Sequence, residues 1–107
     1  MDNFQNAEIN EIVNNILSSA PVSEIYLFGS FADGAGRDDS DFDFYVVIPD
    51  NGMREREANW AIRKSLVGKQ TRGIDMLVGT QSKFDRRKNY IYSIENEVIN
   101  TGVKLYG

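Results

Sequence analysis

The sequence predicts an α/β fold of the α+β type, in which helices pack against a small mixed β-sheet. Apolar residues recur with helical spacing in three segments, and short runs rich in β-branched and aromatic residues lie between them. The predicted order is helix, strand, strand, helix, strand and further helices, which is the pattern of one sheet covered by helices. With 107 residues and no repeat or linker, the chain is predicted to be one domain, residues 1–107.

The first part of the chain is predicted to contain a helix, a strand and a loop. Apolar side chains between residues 9 and 17 recur every three or four positions and therefore share one helix face. Residues 24–28 are predicted as the first strand because they include β-prone isoleucine, tyrosine and phenylalanine. Gly29 and Ser30 form the turn out of this strand, and residues 33–40 are predicted as a loop because they contain two glycines and three aspartates.

The middle of the chain is predicted to contain a strand over residues 41–48 and a helix over residues 53–67. The Pro-Asp-Asn-Gly run at residues 49–52 separates them, since these residues favour turns. Gly68 is predicted as the C-cap of the helix. The helix residues predicted to face the core are Trp60, Ala61, Ile62, Leu66 and Val67.

The last part is predicted to be a third strand, residues 73–78, followed by a helical region. This region is predicted to be capped at Ser82 and to run to about residue 100. Gly102 is predicted to end it, and residues 103–106 to add a short edge strand. The apolar stripe of the helical region is predicted to be Ile91, Ile94, Val98 and Ile99.

The composition restricts the chemistry that this chain can perform. It contains no cysteine, which excludes disulfides, zinc–thiolate sites and thiol nucleophiles. It contains no histidine, which excludes serine–histidine hydrolysis and histidine acid–base catalysis. Carboxylates, hydroxyls, basic side chains and a bound metal remain as the reactive groups.

Charge and hydropathy indicate where the chain works and what it binds. The polar, acidic start and the lack of a long apolar run predict neither a signal peptide nor a membrane anchor, so a cytoplasmic location is expected. The net charge of −4 argues against a general nucleic-acid binder. Residues 1–50 contain ten acids and one base, whereas residues 51–107 contain eleven bases and six acids. This asymmetry fits either a metal site beside a polyphosphate-binding half or two ordinary solvated surfaces.

The predicted second strand opens with two carboxylates, Asp41 and Asp43, at positions i and i+2. Such side chains point to the same face of a strand and repel each other unless a cation lies between them. The alternative is a pair of turn-ending residues at a strand entrance. Asp75 lies on another predicted strand among apolar neighbours, where burial of a carboxylate is costly unless it is paired or metal-bound. Together the three aspartates predict a divalent-metal site for phosphoryl transfer.

The stretch of residues 27–48 resembles the active-site signature of minimal nucleotidyltransferases of the DNA polymerase β superfamily. The likeness rests on a Gly-Ser pair, a ten-residue spacer and an Asp-x-Asp motif followed by an apolar strand. Residues 72–78 resemble the third acidic strand of that family, and residues 82–106 resemble its C-terminal ending. The likeness covers roughly residues 9–106 and implies the polymerase β palm-like nucleotidyltransferase fold.

The resemblance implies a role for each matching residue. Asp41 and Asp43 would ligate two Mg²⁺ ions and bridge to the triphosphate of ATP. Asp75 would bind the catalytic metal and help to deprotonate the attacking hydroxyl. Gly29 would let a phosphate approach the backbone, and Ser30 would donate hydrogen bonds to the β- and γ-phosphates.

Three further loop residues bear on nucleotide binding. Arg37 is the one base among residues 1–50, and it either contacts a phosphate or relieves repulsion between neighbouring aspartates. Ser40 either caps the loop or contacts a phosphate. Asp33 departs from the family pattern, which commonly has arginine or lysine there, so that it removes positive charge near the phosphates.

The resemblance also implies an acceptor and a partner. Larger relatives carry a second domain that holds the acceptor, and this chain has no residues left for one, so the acceptor is expected on another protein. Minimal nucleotidyltransferases are typically paired with a small helical HEPN toxin and act as antitoxins by moving AMP from ATP onto a toxin tyrosine. Homo-oligomer formation is left open. The predicted docking region is Phe84, Arg86, Arg87, Lys88, Tyr90 and Tyr92.

Two alternative functions remain at this stage. In the first, the chain is a metal- and nucleotide-binding module that neutralises a partner by contact, which Asp33 favours. In the second, it transfers nucleotides to a small molecule such as an aminoglycoside, which the missing second domain disfavours. The intact set of Asp41, Asp43 and Asp75 favours a nucleotidyltransferase that acts on a protein.

Overall fold

The computed structural model describes residues 3–30, 32, 41–68 and 73–107 of the chain, with side chains from residue 7 onward. The predicted order of helices and strands is confirmed. The helices are α1 (Asn3–Ser19), α2 (Glu55–Leu66), α3 (Gln81–Arg87) and α4 (Ile94–Thr101), and the strands are β1 (Glu24–Phe28), β2 (Phe42–Ile48), β3 (Ile74–Thr80) and β4 (Val103–Tyr106).

The described strands form one mixed four-stranded sheet in the order β3-β2-β1-β4. β1 pairs antiparallel with both β2 and β4, whereas β2 and β3 run parallel. The predicted edge strand at residues 103–106 is therefore confirmed as β4. The parallel register places Asp43 directly beside Asp75. β2 is central and buried along nearly its whole length, which fits its continuous apolar sequence.

One face of the sheet packs against α1 and α2 and forms the main core. Successive side chains of a strand alternate between the two faces, so every second residue of each strand points into this core. The core side chains of this face are Ile9, Ile12 and Ile16 from α1, Ala58, Ile62 and Leu66 from α2, and Ile25, Leu27, Phe42, Phe44, Val46, Ile48 and Met76 from the strands.

The opposite face packs against α3 and α4 over only part of its area. Phe84 of α3 stacks on Tyr26 with ring centroids 5.4 Å apart and contacts Tyr45 at 5.2 Å. Val98 of α4 completes this smaller cluster. Towards the first residues of β3 the same face is open, because Asp75 and Leu77 are exposed. The uncovered area is where the predicted aspartates lie.

The C-terminal helical region differs from the prediction, because it consists of two helices rather than one. Ser93 separates them: its hydroxyl donates to the Arg87 carbonyl at 2.6 Å and accepts from the Asn96 amide at 3.0 Å. The capping prediction at Ser82 is wrong, since the Thr80 side chain caps α3 by accepting from the Lys83 amide. The predicted stripe is also wrong except for Val98: the exposed members are Ile91, Ile94 and Ile99.

The predicted core face of α2 is partly wrong. Trp60 is 65% exposed and Val67 is 74% exposed, whereas Ala58 is fully buried. Burial follows the four-residue spacing of Ala58, Ile62 and Leu66, which defines one helix stripe that excludes Trp60 and Val67. The C-cap of α2 is Val67 and not the predicted Gly68, which follows it with a positive φ of 75°. Among the described residues, no helix is both long and apolar enough to span a bilayer.

Candidate functional site

Asp43 and Asp75 lie side by side on the open face of the sheet. They occupy matching positions of the parallel strands β2 and β3, so their side chains leave the same face. Asp43 is half-buried and Asp75 is exposed. Their carboxyl groups interact through charge and through a hydrogen bond. The structure therefore brings together two of the three aspartates that the sequence singled out.

The surroundings raise the pKa of Asp43 above its usual value of 3.8. Burial is the largest cause, because it penalises the charged form. The charge of Asp75 and its hydrogen bond come next, and the charges of Asp41 and Glu97 add to them. Within the part of the chain that the structure describes, these effects all raise the pKa of Asp43.

Gly29 forms one wall of this site, directly after β1. Its φ is +76°, a conformation that favours glycine, and a Cβ at this position would overlap the Asp43 carboxylate. The sequence predicted a close approach of a phosphate to Gly29, and the structure shows that the Asp43 carboxylate approaches it. The predicted turn is confirmed, with Ser30 next to Gly29 and partly exposed.

Asp41 flanks the pair from the residue before β2. It is exposed, and its carboxylate packs on the backbone of Gly73, where a Cβ would overlap it. The Phe42 amide donates to the Gly73 carbonyl at 3.1 Å and holds the two segments together. Within the described part of the chain, no three acidic side chains form a ready-made metal-binding group. The structure thus shows the Asp43–Asp75 pair, with Asp41 beside it and turned towards Gly73.

The other sequence candidates have different outcomes. Asp75 was singled out because burial of a carboxylate is costly, but it is exposed, so that argument is wrong for this residue. Arg37, Ser40 and Asp33 lie outside the described residues. Sequence reasoning missed Glu97, whose charge reaches Asp43 from α4. No sequence pattern could have found it, because its position depends on how α4 packs against β1.

A second polar group, also missed, lies two residues further along β2. The Tyr45 hydroxyl donates to Glu95 Oε2 at 2.7 Å, and Arg87 Nε donates to Glu95 Oε1 at 3.0 Å. Tyr45 and Glu95 are both buried. Gly79 leaves space for the tyrosine, since a Cβ there would overlap the hydroxyl. This group joins β2 to α3 and α4 and holds both helices on the sheet.

The comparisons with known proteins agree with this architecture. The nucleotidyltransferase domain family matches residues 8–100. A structure from Sulfolobus solfataricus, described as that of a nucleotidyltransferase, is 25% identical and has a TM-score of 0.62, covering 92% of this chain and 76% of that one. No curated protein matches the chain.

Two toxin–antitoxin structures share the fold at lower identity. One contains AMP-PNP; it is 22% identical, has a TM-score of 0.64 and covers 92% of this chain and 72% of that one. The other is a variant of the MntA–HpeT pair; it is 20% identical, has a TM-score of 0.62 and covers the same shares. Since the family match spans most of the sequence and the mixed sheet carries the Asp43–Asp75 pair, the chain belongs to the nucleotidyltransferase domain family.

Proposed function

We propose that the chain is a metal-dependent nucleotidyltransferase that moves AMP from ATP onto a hydroxyl of a partner protein and releases pyrophosphate. The observation that carries this proposal is the like-charged pair of Asp43 and Asp75 beside the left-handed Gly29. Two carboxylates held together at a surface repel each other and destabilise the metal-free protein, and a bound cation removes that repulsion. Carboxylate oxygens are the donors that Mg²⁺ prefers.

Asp41, Asp43 and Asp75 are the residues that would hold Mg²⁺. Asp43 is fixed by β2 and Gly29, whereas Asp41 is exposed and precedes the strand, so that its side chain can turn from Gly73 towards a cation. Bound Mg²⁺ would neutralise the charge that develops on the triphosphate. Asp75 helps to deprotonate the attacking hydroxyl, and its exposure supports this role because an acceptor can reach it.

The nucleotide is proposed to bind along the turn after β1. Gly29 presents its backbone without a side chain, and the partly exposed Ser30 offers a hydroxyl and an amide to the phosphates. Arg37 and Ser40 are proposed to contribute to the same binding surface. The choice of an adenine nucleotide is supported by the toxin–antitoxin structure that contains AMP-PNP, which shares the fold of this chain.

The proposed acceptor is a tyrosine of a small helical HEPN-type toxin, and the chain would act as its antitoxin in the cytoplasm. The structural likeness to toxin–antitoxin proteins supports this partner. Of the predicted docking region, Tyr90 and Tyr92 are exposed and remain available for a partner. Phe84 is fully buried against the sheet, which makes its inclusion in that region wrong.

The test is transfer of label from α-labelled ATP to a HEPN-type protein in the presence of Mg²⁺. Asp43→Asn is expected to reduce transfer by about a hundredfold or more, because it removes stabilisation of the transferring phosphate. Asp41→Asn and Asp75→Asn are expected to act in the same direction. The matched control is Asp85→Asn on the exposed side of α3, which leaves transfer unchanged. Transfer that survives all three site substitutions contradicts the proposal.

A second candidate is a protein that neutralises its partner by contact alone. It is favoured by the lack of a preformed group of three acids among the described residues. Asp75→Asn distinguishes the two functions when inhibition of the partner is measured. A transferase loses inhibition with this substitution, whereas a contact inhibitor keeps it at the wild-type level.

A further inference from the structure

The outer edge of the sheet and α2 enclose a groove that the catalytic proposal does not use. β3 is an edge strand, and α2 runs beside it. The groove has a volume of about 740 Å³, and Trp60, Val67 and Val78 are among the residues that line it. Trp60 and Val67 are mostly exposed. Large apolar side chains exposed together in this way are typical of binding surfaces.

The groove continues along the edge of β3 on the sheet face that α2 covers, which is opposite to the face of the aspartate pair. A second hollow of about 240 Å³ shares Arg63 and Val67 with the first and is also lined by Ile74 and Met76. Ile74 immediately precedes Asp75 in β3. The two hollows therefore follow the edge of β3 from Val78 to Ile74, on the face opposite to the Asp75 side chain.

The walls of the groove are basic, although the whole chain has a net charge of −4. Arg56, Arg63 and Lys64 line it, and the Lys64 ammonium lies 4.8 Å from the centre of the Trp60 ring. Among the described residues that line it, the acidic Glu55 is paired with Lys83 at 3.3 Å. The groove thus offers apolar surface together with positive charge, which is complementary to an acidic segment carrying apolar side chains.

We infer that this groove is the docking site for an acidic, apolar-bearing segment of the acceptor protein, at the edge of the strand that carries Asp75. The identity of the partner as the acceptor rests on the proposed function, whereas the docking itself does not. A protein segment fits better than a nucleic acid, because two of the apolar wall residues, Val67 and Val78, are aliphatic and Trp60 alone offers a stacking surface.

The test is a titration of the ¹⁵N-labelled chain with a short synthetic peptide of glutamate, leucine and one tyrosine, followed by NMR without ATP. The expected result is a shift of the Trp60 indole signal and of the amides of Val67 and Ile74. The double variant Arg56→Glu/Lys64→Glu is expected to weaken binding about tenfold or more, because both charges then repel the peptide. Trp60→Ala is expected to weaken it to a similar degree.

Matched controls are Lys104→Glu and Tyr106→Ala, which change an exposed charge and an exposed aromatic on β4, at the opposite edge of the sheet; both are expected to bind as the wild type does. Absence of binding, equal binding of a lysine–leucine peptide, or shifts centred on Tyr92 overturns the inference. Displacement by a single-stranded oligoadenylate that binds more tightly assigns the groove to nucleic acid and also overturns it. Asp43→Asn is expected to bind the peptide normally, so that failure of docking and failure of catalysis are told apart.

Discussion

Asp43 and Tyr45 are two residues apart in β2 and face the same side of the sheet, but their interactions with acidic side chains differ. Asp43 lies beside Asp75 and within the field of Asp41 and Glu97, so that like charges surround it. Tyr45, two residues later, meets the Glu95 carboxylate through a hydrogen bond of 2.7 Å. The carboxylates around Asp43 repel one another, whereas the Tyr45 hydroxyl and the Glu95 carboxylate are joined by a hydrogen bond.

The two carboxylates differ in pKa for the same reason. Burial raises the pKa of Glu95, but hydrogen bonds from Tyr45 and Arg87 outweigh it and leave that pKa below the usual value of 4.5. Burial also raises the pKa of Asp43, and there the neighbouring acids add to the effect. The surroundings of Glu95 therefore stabilise its charged form and the fold. The surroundings of Asp43 disfavour its charged form, as expected at a site that binds a cation from solution.

The largest expected effect on stability comes from loss of the Tyr45–Glu95 hydrogen bond. Glu95→Ala is expected to lower the free energy of unfolding by about 2 kcal/mol, because it leaves the buried Tyr45 hydroxyl without an acceptor. Urea unfolding followed by circular dichroism measures the change. Glu97→Ala is the control, with an effect within about 0.5 kcal/mol, because Glu97 is exposed. Equal losses for the two variants would remove the distinction between these acids.

The pH dependence of the Glu95 contribution has a defined sign. The folded-state pKa of Glu95 lies below its usual value of 4.5, so its stabilisation is fully present above that value. It is lost as the pH falls through the lowered folded-state pKa. The difference in unfolding free energy between the wild type and Glu95→Gln should therefore be large at neutral pH and shrink in acid. A constant difference would show that Glu95 does not act through its charge.

Asp43→Asn is expected to have a smaller effect of the opposite sign. Removing one of two like charges on adjacent strands is expected to raise the free energy of unfolding by about 0.5 kcal/mol without metal. The folded-state pKa of Asp43 lies above 3.8, so its charged form is the destabilising one. The gain should be present above that raised pKa and disappear below pH 3.8. A destabilised variant at neutral pH would indicate that Asp43 supports the fold.

Glu97→Gln gives the smallest expected effect and tests whether the charge of Glu97 contributes to the raised pKa of Asp43. It removes a charge that raises the pKa of Asp43 less than Asp75 and Asp41 do, so that this pKa should fall slightly towards its usual value. NMR titration of the Asp43 carboxyl carbon measures the change. The same titration in Glu57→Gln, an exposed substitution on α2, is expected to match the wild type.

The features that the sequence predicted correctly are those that depend on local chemistry. The first strand has the predicted bounds, and the glycine turn follows it as predicted, whereas Asp41 precedes β2 instead of opening it. The errors concern packing between elements. Trp60 was placed inside because it is apolar, but the register of α2 turns it outward, and a side chain's own chemistry does not set that register.

In the candidate site, too, the sequence identified individual residues, whereas the contacts between them depend on how the strands and helices pack. The sequence identified Asp43 and Asp75, and only the parallel register of β2 and β3 made them neighbours. Glu97 and the Tyr45–Glu95 bond depend on where α4 lies, and that helix was predicted as part of a longer one. Ser93, which interrupts that longer helix, does so through a hydrogen bond to the Arg87 carbonyl six residues earlier, beyond the four-residue spacing of helical hydrogen bonds.

Thermal unfolding with and without Mg²⁺ is the most direct test that Asp43 and Asp75 are paired to hold a cation. At a metal concentration tenfold above its Kd, the wild type is expected to gain about 1.4 kcal/mol of stability, seen as a higher Tm. Asp43→Asn and Asp75→Asn are expected to show no such gain, whereas Asp85→Asn should behave as the wild type does. A wild-type Tm that ignores Mg²⁺, or an equal rise in Asp43→Asn, would contradict the account.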